Sequence, residues 1–175
     1  MRLRIGADTL VRGRITDPQD VTTVIGSLVD NAVRAAVQGA AGDRWVEVEL
    51  LDDWAGGEGT LHLVVADSGD GLPVADPEPI FAQGWSTAVP SGGSGDGGAP
   101  PFAVLPGVHG QGFGLSQSRE LARRRGGEVW VADPGRPGGP GAVFCARLPG
   151  TVVRDPGAGA DVGGDRSAGR SGGAG

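Results

Sequence analysis

The longest helical pattern in the chain follows the segment Thr16-Asp17-Pro18. Apolar residues recur at helical spacing from Val21 to Ala36, and Gly39 comes after the last of them. Proline at the first helical position and an acidic residue, Asp20, in the first turn are typical of a helix start. The pattern therefore predicts an amphipathic helix from Pro18 to about Gly39, with one face in the core.

Alternating apolar and polar positions predict five strands, and a second helix is expected between the third and the fourth. The strand segments are 2–5, 45–51, 60–66, 128–132 and 142–148. A polar loop joins the second segment to the third, as in an antiparallel hairpin. The second helix would follow HGQGFGL (109–115), run through Arg125 and end at Gly126-Gly127. This order predicts an α+β fold: a mixed, mostly antiparallel sheet of about five strands with about three helices on one face.

Glycine and proline are abundant but unevenly placed. The chain has 175 residues, of which 35 are Gly and 13 are Pro, and many of them fall between 88 and 109 or after 150. Hydrophobic residues make up 38% of the chain, which is too many for a fully disordered protein. We therefore expect one domain over residues 1–149, containing a flexible segment at 88–109, and a disordered Gly/Ala-rich tail over 150–175.

Charge and composition exclude several classes of protein. The net charge is −6, so binding along a nucleic acid backbone is not expected. No apolar run is long enough to span a bilayer, and the N-terminus lacks a signal-peptide core, so a cytoplasmic location is expected. A single cysteine, Cys145, excludes an intrachain disulfide, and two histidines, His62 and His109, argue against a His-rich metal site. The tryptophans Trp45 and Trp130 are predicted in the sheet core.

Asp67, Gly69 and Gly71 directly follow the third predicted strand. A carboxylate at a strand end can accept a hydrogen bond from an amino group of a flat ligand, and glycines let the backbone approach that ligand. Taken alone, Asp-Ser-Gly-Asp-Gly is also a common turn composition.

Gly110, Gly112 and Gly114 open the second predicted helix. Glycines at a helix N-terminus can direct successive N–H groups at a phosphate. A dinucleotide-binding fold would place such glycines after the first strand, and a Walker loop would end in Lys, so neither fits.

Ser27, Asn31 and Arg34 lie on one stripe of the first helix, beside its apolar face. An amide oxygen can bind Mg²⁺, and an arginine can bind phosphate. For any one of the three residues, a solvated helix face is the plainer interpretation.

In order and spacing these features resemble a known family. The segments VIGSLVDNAVRAA, DSGDGLP, PIFAQGWST and HGQGFGLSQSRELARRRGGEVWV are similar to the ATP-binding catalytic domain of sensor histidine kinases, within the superfamily that includes gyrase-type, Hsp90-type and mismatch-repair ATPases. The FAQGWST segment resembles the kinases that sense citrate and C4-dicarboxylates. The resemblance covers residues 1–149 and implies a protein histidine kinase that uses ATP and Mg²⁺.

The resemblance also implies a role for each matching residue. Asn31 would bind Mg²⁺ and Arg34 would contact phosphate. Asp67 would accept a hydrogen bond from the adenine amino group, with Gly69 and Gly71 beneath the base. The remaining implied positions are a lid over 88–109, its aromatic anchor Phe81, its far end at Gly110, Gly112, Gly114 and Leu115, and Gln111 near the γ-phosphate.

Two departures from the family pattern affect the expected chemistry. Ser27 replaces the Asn usual in the kinases and the Glu that activates water in the ATPases, so efficient ATP hydrolysis is disfavoured. Ala88 stands where relatives often carry Lys, and residues 88–108 contain neither Lys nor Arg.

Neither histidine resembles a phosphoacceptor motif. The expected partner is therefore a histidine-bearing dimerisation domain, in cis in a full-length kinase or in trans, with a response regulator downstream; the chain could be the cytoplasmic part of a membrane-bound sensor. Two alternatives stay open: a standalone serine kinase of the anti-sigma-factor type, and a degenerate nucleotide-binding module without transfer activity.

Overall fold

The computed structural model describes residues 1–55, 57–83, 85, 114–136 and 139–154. The predicted lid over 88–109 and the tail beyond Arg154 lie outside these residues. In chain order the elements are strands β1 (Arg2–Ile5) and β2 (Arg14–Ile15), helix α1 (Pro18–Gln38), strands β3 (Trp45–Ala55) and β4 (Glu58–Asp67), a 3₁₀ helix (Glu78–Phe81), helix α2 (Gly114–Arg124), and strands β5 (Glu128–Asp133) and β6 (Val143–Val153).

The six strands form one mixed sheet, which confirms the predicted α+β class. The order is β1-β3-β4-β6, and both β2 and β5 pair with the far edge of β6. Only the β1–β3 pair is parallel, and the other pairs are antiparallel. Helix α1 contacts β3, β4 and β6, while α2 contacts β5, β6 and α1. The sequence pattern did not predict β2, which has only two residues.

The core lies between α1 and the sheet. The buried positions of α1 recur at helical spacing: Val21, Val24, Leu28, Ala32 and Ala36. They pack with alternate residues of β3, β4 and β6, such as Val46, Leu63 and Phe144. Each fully buried Val, Leu or Phe side chain contributes roughly 1.5–3 kcal/mol, so this contact holds the helix on the sheet. Among the described residues, no helix is both long and apolar enough to cross a membrane.

The tryptophan prediction was wrong for Trp45 and Trp130. Trp45 alternates with Val46, and Trp130 with Val129, and both valines face the core. The tryptophans therefore lie on the opposite face of the sheet, where Trp130 is 36% exposed and the Arg4 guanidinium lies 5.3 Å from the centre of the Trp45 ring. In β3 the alternation places Trp45 on the side of Glu47, so the core prediction for Trp45 followed the residue type against the pattern.

The β3–β4 hairpin extends through the predicted polar loop. Asp52 has a buried carboxylate, which accepts hydrogen bonds from the backbone N–H groups of Arg12 (2.7 Å) and Gly13 (2.8 Å). Burial alone would raise the pKa of Asp52, but these donors outweigh burial and the pKa is lowered. The strand therefore continues because its polar residue is satisfied from the preceding loop.

The last strand also continues beyond the prediction. It runs to Val153, whereas the sequence placed its end at Leu148 and the start of a tail at 150. Thr151 is fully buried and donates to the Leu148 carbonyl (2.8 Å), and Val152 pairs with Ile15 of β2. The predicted boundary at 149 is therefore too early, because pairing with β2 recruits the residues after Gly150.

The basic run at the end of α2 pairs with acidic groups of the same chain. Arg125 contacts Asp17 and Asp20 (2.8 Å) at the start of α1. Gly126, with φ of +71°, then turns the chain out of the helix, in the left-handed conformation that glycine adopts at helix ends. The end of α2 is thereby fixed to the beginning of α1.

Candidate functional site

Asp67 ends β4 and is almost completely buried, at 2% exposure. The Gly69 N–H donates to its Oδ1 atom (2.7 Å). Its backbone is fixed from the other side, because the Gly141 N–H donates to the Asp67 carbonyl (3.1 Å) and the Asp67 N–H donates to the Ala142 carbonyl (3.2 Å). The carboxylate therefore has a position set by its own loop and by the residues before β6.

Burial raises the pKa of the Asp67 carboxyl group, and backbone hydrogen bonding with Gly69 and Ala142 only partly opposes it. A carboxylate with so little water around it is a strong acceptor for a donor that reaches it. The role of Asp67 in recognising an amino group stays a prediction.

The two glycines after Asp67 are required by the protein's own packing. A Cβ on Gly69 would lie 2.9 Å from the Cβ of Ala35 on α1. Gly71 has φ of +77°, and a Cβ there would lie 2.6 Å from the Arg136 nitrogen. The loop thus lies tightly between α1 and residues 134–136. The predicted contact of these glycines with a base stays a prediction.

Asn31 lies between two close contacts along α1. Ser27, Asn31 and Ala35 occupy the same side of the helix at intervals of one turn, about 6 Å along the axis. At one end, Ala35 contacts Gly69. At the other, a Cβ on Gly114 would lie 2.6 Å from Ser27 Oγ, so the first residue of α2 sits directly on Ser27. We call residues 67–71 the Asp67 loop. The half-buried Asn31 is consequently placed between the Asp67 loop and the start of α2.

Ser27 and Arg34 differ in environment although they share a stripe. The Ser27 hydroxyl is buried and has no hydrogen-bond partner among the described residues. Arg34 is exposed, and its Nε donates to the Asp30 carbonyl (3.3 Å). An exposed guanidinium beside Asn31 can reorient toward an anion.

The other predicted site residues are only partly covered by the structure. Phe81 is buried at the end of the 3₁₀ helix, Gly114 begins α2, and Leu115 packs half-buried against the core. Gly110, Gln111 and Gly112 lie outside the described residues, so their roles stay predictions.

Residues that the sequence did not single out complete the site. Gly141 holds the Asp67 backbone, and its hydrogen at Cα faces the carboxylate where a Cβ would overlap Oδ1. The available signal was a glycine directly before the last strand, but it stood in a Pro/Gly-rich connection. Arg119, which contacts Phe81, was hidden in a helix of polar composition.

The oxygen atoms that the chain offers here suit a cation held mainly by the phosphate oxygens of a bound molecule. The described residues contain no group of three or more His, Cys, Asp or Glu that could bind a metal ion by themselves. Mg²⁺ commonly takes one or two protein oxygens together with phosphate oxygens and waters. The amide oxygen of Asn31 fits that pattern.

Comparisons with known proteins agree with this geometry. Residues 16–152 match the family of histidine kinase-, DNA gyrase B- and HSP90-like ATPases. The chain is 32% identical over 117 residues to the sensor histidine kinase DpiB of Escherichia coli K12. The matched region covers 67% of this chain and 18% of DpiB. It is 33% identical over 118 residues to the aerobic respiration control sensor protein ArcB of the same organism, covering 67% and 12%. The chain thus spans less than a fifth of either relative.

Solved structures share the fold. The mycobacterial sensor histidine kinase MprB superposes with a TM-score of 0.55 at 20% identity, over 87% of this chain and 85% of that one. The catalytic domain of histidine kinase ThkA in a nucleotide-free form gives 0.52 at 21% identity, over 85% and 77%. The resemblance read from the sequence is therefore confirmed at the level of the family. The chain belongs to the histidine kinase-, DNA gyrase B- and HSP90-like ATPases.

Proposed function

We propose that this chain is the catalytic part of a two-component sensor kinase, which binds Mg²⁺–ATP and donates the γ-phosphate to a histidine on a separate dimerisation domain. The observation that carries the proposal is the position of Asn31, one helical turn from the Asp67 loop and one turn from the start of α2. An ATP molecule has an amino group at one end and phosphates at the other, and this arrangement offers a matching group for each.

Asp67 would recognise the base. Its buried carboxylate accepts an N–H bond from Gly69 and has the raised pKa of a poorly hydrated group. An adenine amino group that reaches Asp67 would supply a further hydrogen-bond donor to this carboxylate. Gly69 and Gly71 would lie beneath the base, and the family's name as ATPases supports ATP as the nucleotide.

The phosphates would lie along Asn31 toward α2. Asn31 would hold Mg²⁺ through its amide oxygen, and bound Mg²⁺ would neutralise phosphate charge during transfer. Arg34 would contact a phosphate, and the positive end of α2, which begins at Gly114 beside Leu115, would attract phosphate charge. Gln111, with Gly110 and Gly112 in the segment outside the described residues, would complete the γ-phosphate end.

Transfer to another protein fits these residues better than hydrolysis. Water attack needs a base, and the position that would supply one holds Ser27, whose hydroxyl is buried against Gly114. The FAQGWST segment further supports a kinase of the citrate and C4-dicarboxylate-sensing type. In such a protein this chain would work on the cytoplasmic side, with a response regulator as the final acceptor.

Transfer in trans tests the proposal. The chain is incubated with γ-labelled ATP, Mg²⁺ and a panel of purified histidine-bearing dimerisation domains, and label that survives alkali but not acid is counted. We expect labelling of a histidine, and a loss of at least about 100-fold in Asn31→Ala, the size typical for one lost electrostatic contact. Gln38→Ala, an exposed change on the same helix, is the control and is expected to match the wild type.

Two other results would favour the alternatives. Label that survives acid but not alkali, on a serine of a small partner protein assayed in parallel, would indicate a kinase of the anti-sigma-factor type. ATP binding with no transfer to any member of the panel would indicate a degenerate nucleotide-binding module, as Ser27 and the absence of Lys and Arg from 88–108 would then suggest.

A further inference from the structure

Arg119 joins three elements that are distant in sequence. It lies on α2, and only 11% of its side chain is exposed. Two of its nitrogens donate to the two carboxylate oxygens of Glu78 (2.7 and 3.0 Å), the first residue of the 3₁₀ helix. Its Nε donates to Glu128 of β5 (2.6 Å). The guanidinium also lies over the Phe81 ring, 4.3 Å from its centre.

This combination is specific to arginine. A planar guanidinium can bind one carboxylate through two parallel hydrogen bonds and stack on an aromatic face at the same time, whereas an ammonium group cannot. The pKa of Glu78 is lowered by its hydrogen bonds to Arg119, and the pKa of Glu128 is lowered by Arg119 and Arg123 against the opposing effect of burial. Both carboxylates are therefore charged partners under ordinary conditions.

The elements that Arg119 joins are the ones that border the two ends of the candidate site. The segment that begins at Asp67 ends with the 3₁₀ helix at Phe81. Helix α2 begins at Gly114, against Ser27, and Arg119 follows in its second turn. The contact between Phe81 and Arg119 thus ties the end of this segment to α2.

We propose that Arg119 is a positioning residue for nucleotide binding, which holds the Asp67–Phe81 segment and α2 at the separation that lets one ATP molecule engage both. The inference rests on the proposed binding of ATP across these two elements. A positioning role differs from simple stabilisation in its effect on affinity. The affinity of a ligand that reaches both Asp67 and α2 should depend on Arg119. The affinity of a ligand that reaches only Asp67 should not.

The experiment compares Mg²⁺–ATP with adenosine. Dissociation constants are measured by calorimetry for the wild type, Arg119→Gln and Arg119→Lys, at a temperature where circular dichroism shows every variant to be folded. We expect ATP affinity to fall about 10- to 100-fold in both variants, the range for losing a charged hydrogen-bond partner, while adenosine affinity changes less than about threefold. Arg124→Gln is the control, because the one ion pair of Arg124 within the described ranges is an exposed pair with Glu120 (3.4 Å) on the same helix.

Glu78→Gln provides a second route if an Arg119 variant fails to fold. It removes the charge of the paired carboxylate and leaves the bond from Arg119 to Glu128, so we expect a smaller loss of ATP affinity in the same direction. Equal weakening of ATP and adenosine, or unchanged ATP affinity in folded Arg119→Gln, would overturn the positioning role while the proposed function stands. Failure of the wild type to bind ATP would instead overturn the proposed function, and this inference with it.

Discussion

Asp67→Asn is expected to remove ATP binding while leaving the domain folded. Oδ1 of the Asp67 carboxylate accepts the Gly69 N–H (2.7 Å), and an amide in its place offers only one oxygen. Its NH₂ group must then face either a backbone donor or the incoming amino group. We expect affinity for ATP to fall at least about 100-fold, from the lost charged acceptor together with the new donor–donor contact.

The same substitution should not reduce stability at neutral pH. The pKa of Asp67 is raised in the folded protein, mainly by burial, so the folded state holds this proton at higher pH than the unfolded chain. Ionised Asp67 therefore costs stability once the pH rises above the ordinary carboxyl value of 3.8, and the neutral amide removes that cost. Thermal unfolding at pH 7 should give a midpoint equal to or above that of the wild type.

Asp70→Asn is the matched control, because Asp70 is exposed and accepts hydrogen bonds from the Ala40 N–H (3.1 Å) at the end of α1. It should bind ATP like the wild type. Unchanged ATP affinity in Asp67→Asn would show that Asp67 does not recognise the base. Loss of both folding and binding would assign Asp67 a structural role.

Gly141→Ala is expected to disrupt the site through a single methyl group. The added Cβ would overlap Asp67 Oδ1 and lie 2.5 Å from the Asp67 carbonyl oxygen and 2.6 Å from the Gly69 nitrogen. These atoms are held by backbone hydrogen bonds and have little freedom to move aside. We expect a loss of about 3 kcal/mol in the free energy of unfolding, the upper part of the usual range for overpacking, and no measurable ATP binding.

Gly26→Ala makes the same chemical change where space is open. Gly26 lies on the exposed side of α1, and a Cβ there would meet nothing within 4 Å. Because alanine favours the helix over glycine, stability should rise by up to about 1 kcal/mol with ATP affinity unchanged. Denaturant unfolding measures the change in stability, and calorimetry measures ATP affinity.

Wild-type ATP affinity in Gly141→Ala would contradict the binding role proposed for Asp67.

The sequence predicted the elements whose pattern is local. Helix α1 was found from its spacing and its first-turn residues, and the β3–β4 hairpin from alternation. Elements that depend on tertiary pairing were missed or given the wrong bounds. Strand β2 exists because its two residues pair with the end of β6. Strand β3 continues through Asp52 because a loop distant in sequence satisfies the Asp52 carboxylate. Trp45 was misplaced because its aromatic character was weighed above an alternation that puts it on the Glu47 side of β3.

The site divides in the same way. Asp67, Gly69, Gly71 and Asn31 were predicted because their motifs follow one another in a recognisable order. The structure brings the Asp67 loop and α1 into contact, and the binding roles stay predictions. Gly141 was missed because its importance lies in a contact with a residue far away in the chain. The network around Arg119 was missed because a charged helix surface and a buried ion pair have the same sequence pattern.

Asp67 is proposed to recognise the amino group of adenine. Titration of the wild-type chain with ATP and with GTP, each with Mg²⁺, tests it most directly, because guanine carries a carbonyl oxygen where adenine carries that amino group. We expect one ATP site per chain and affinity for GTP at least about 100-fold weaker, since two acceptors would face each other in the pocket. Equal affinity for the two nucleotides, or binding of neither, would contradict the account.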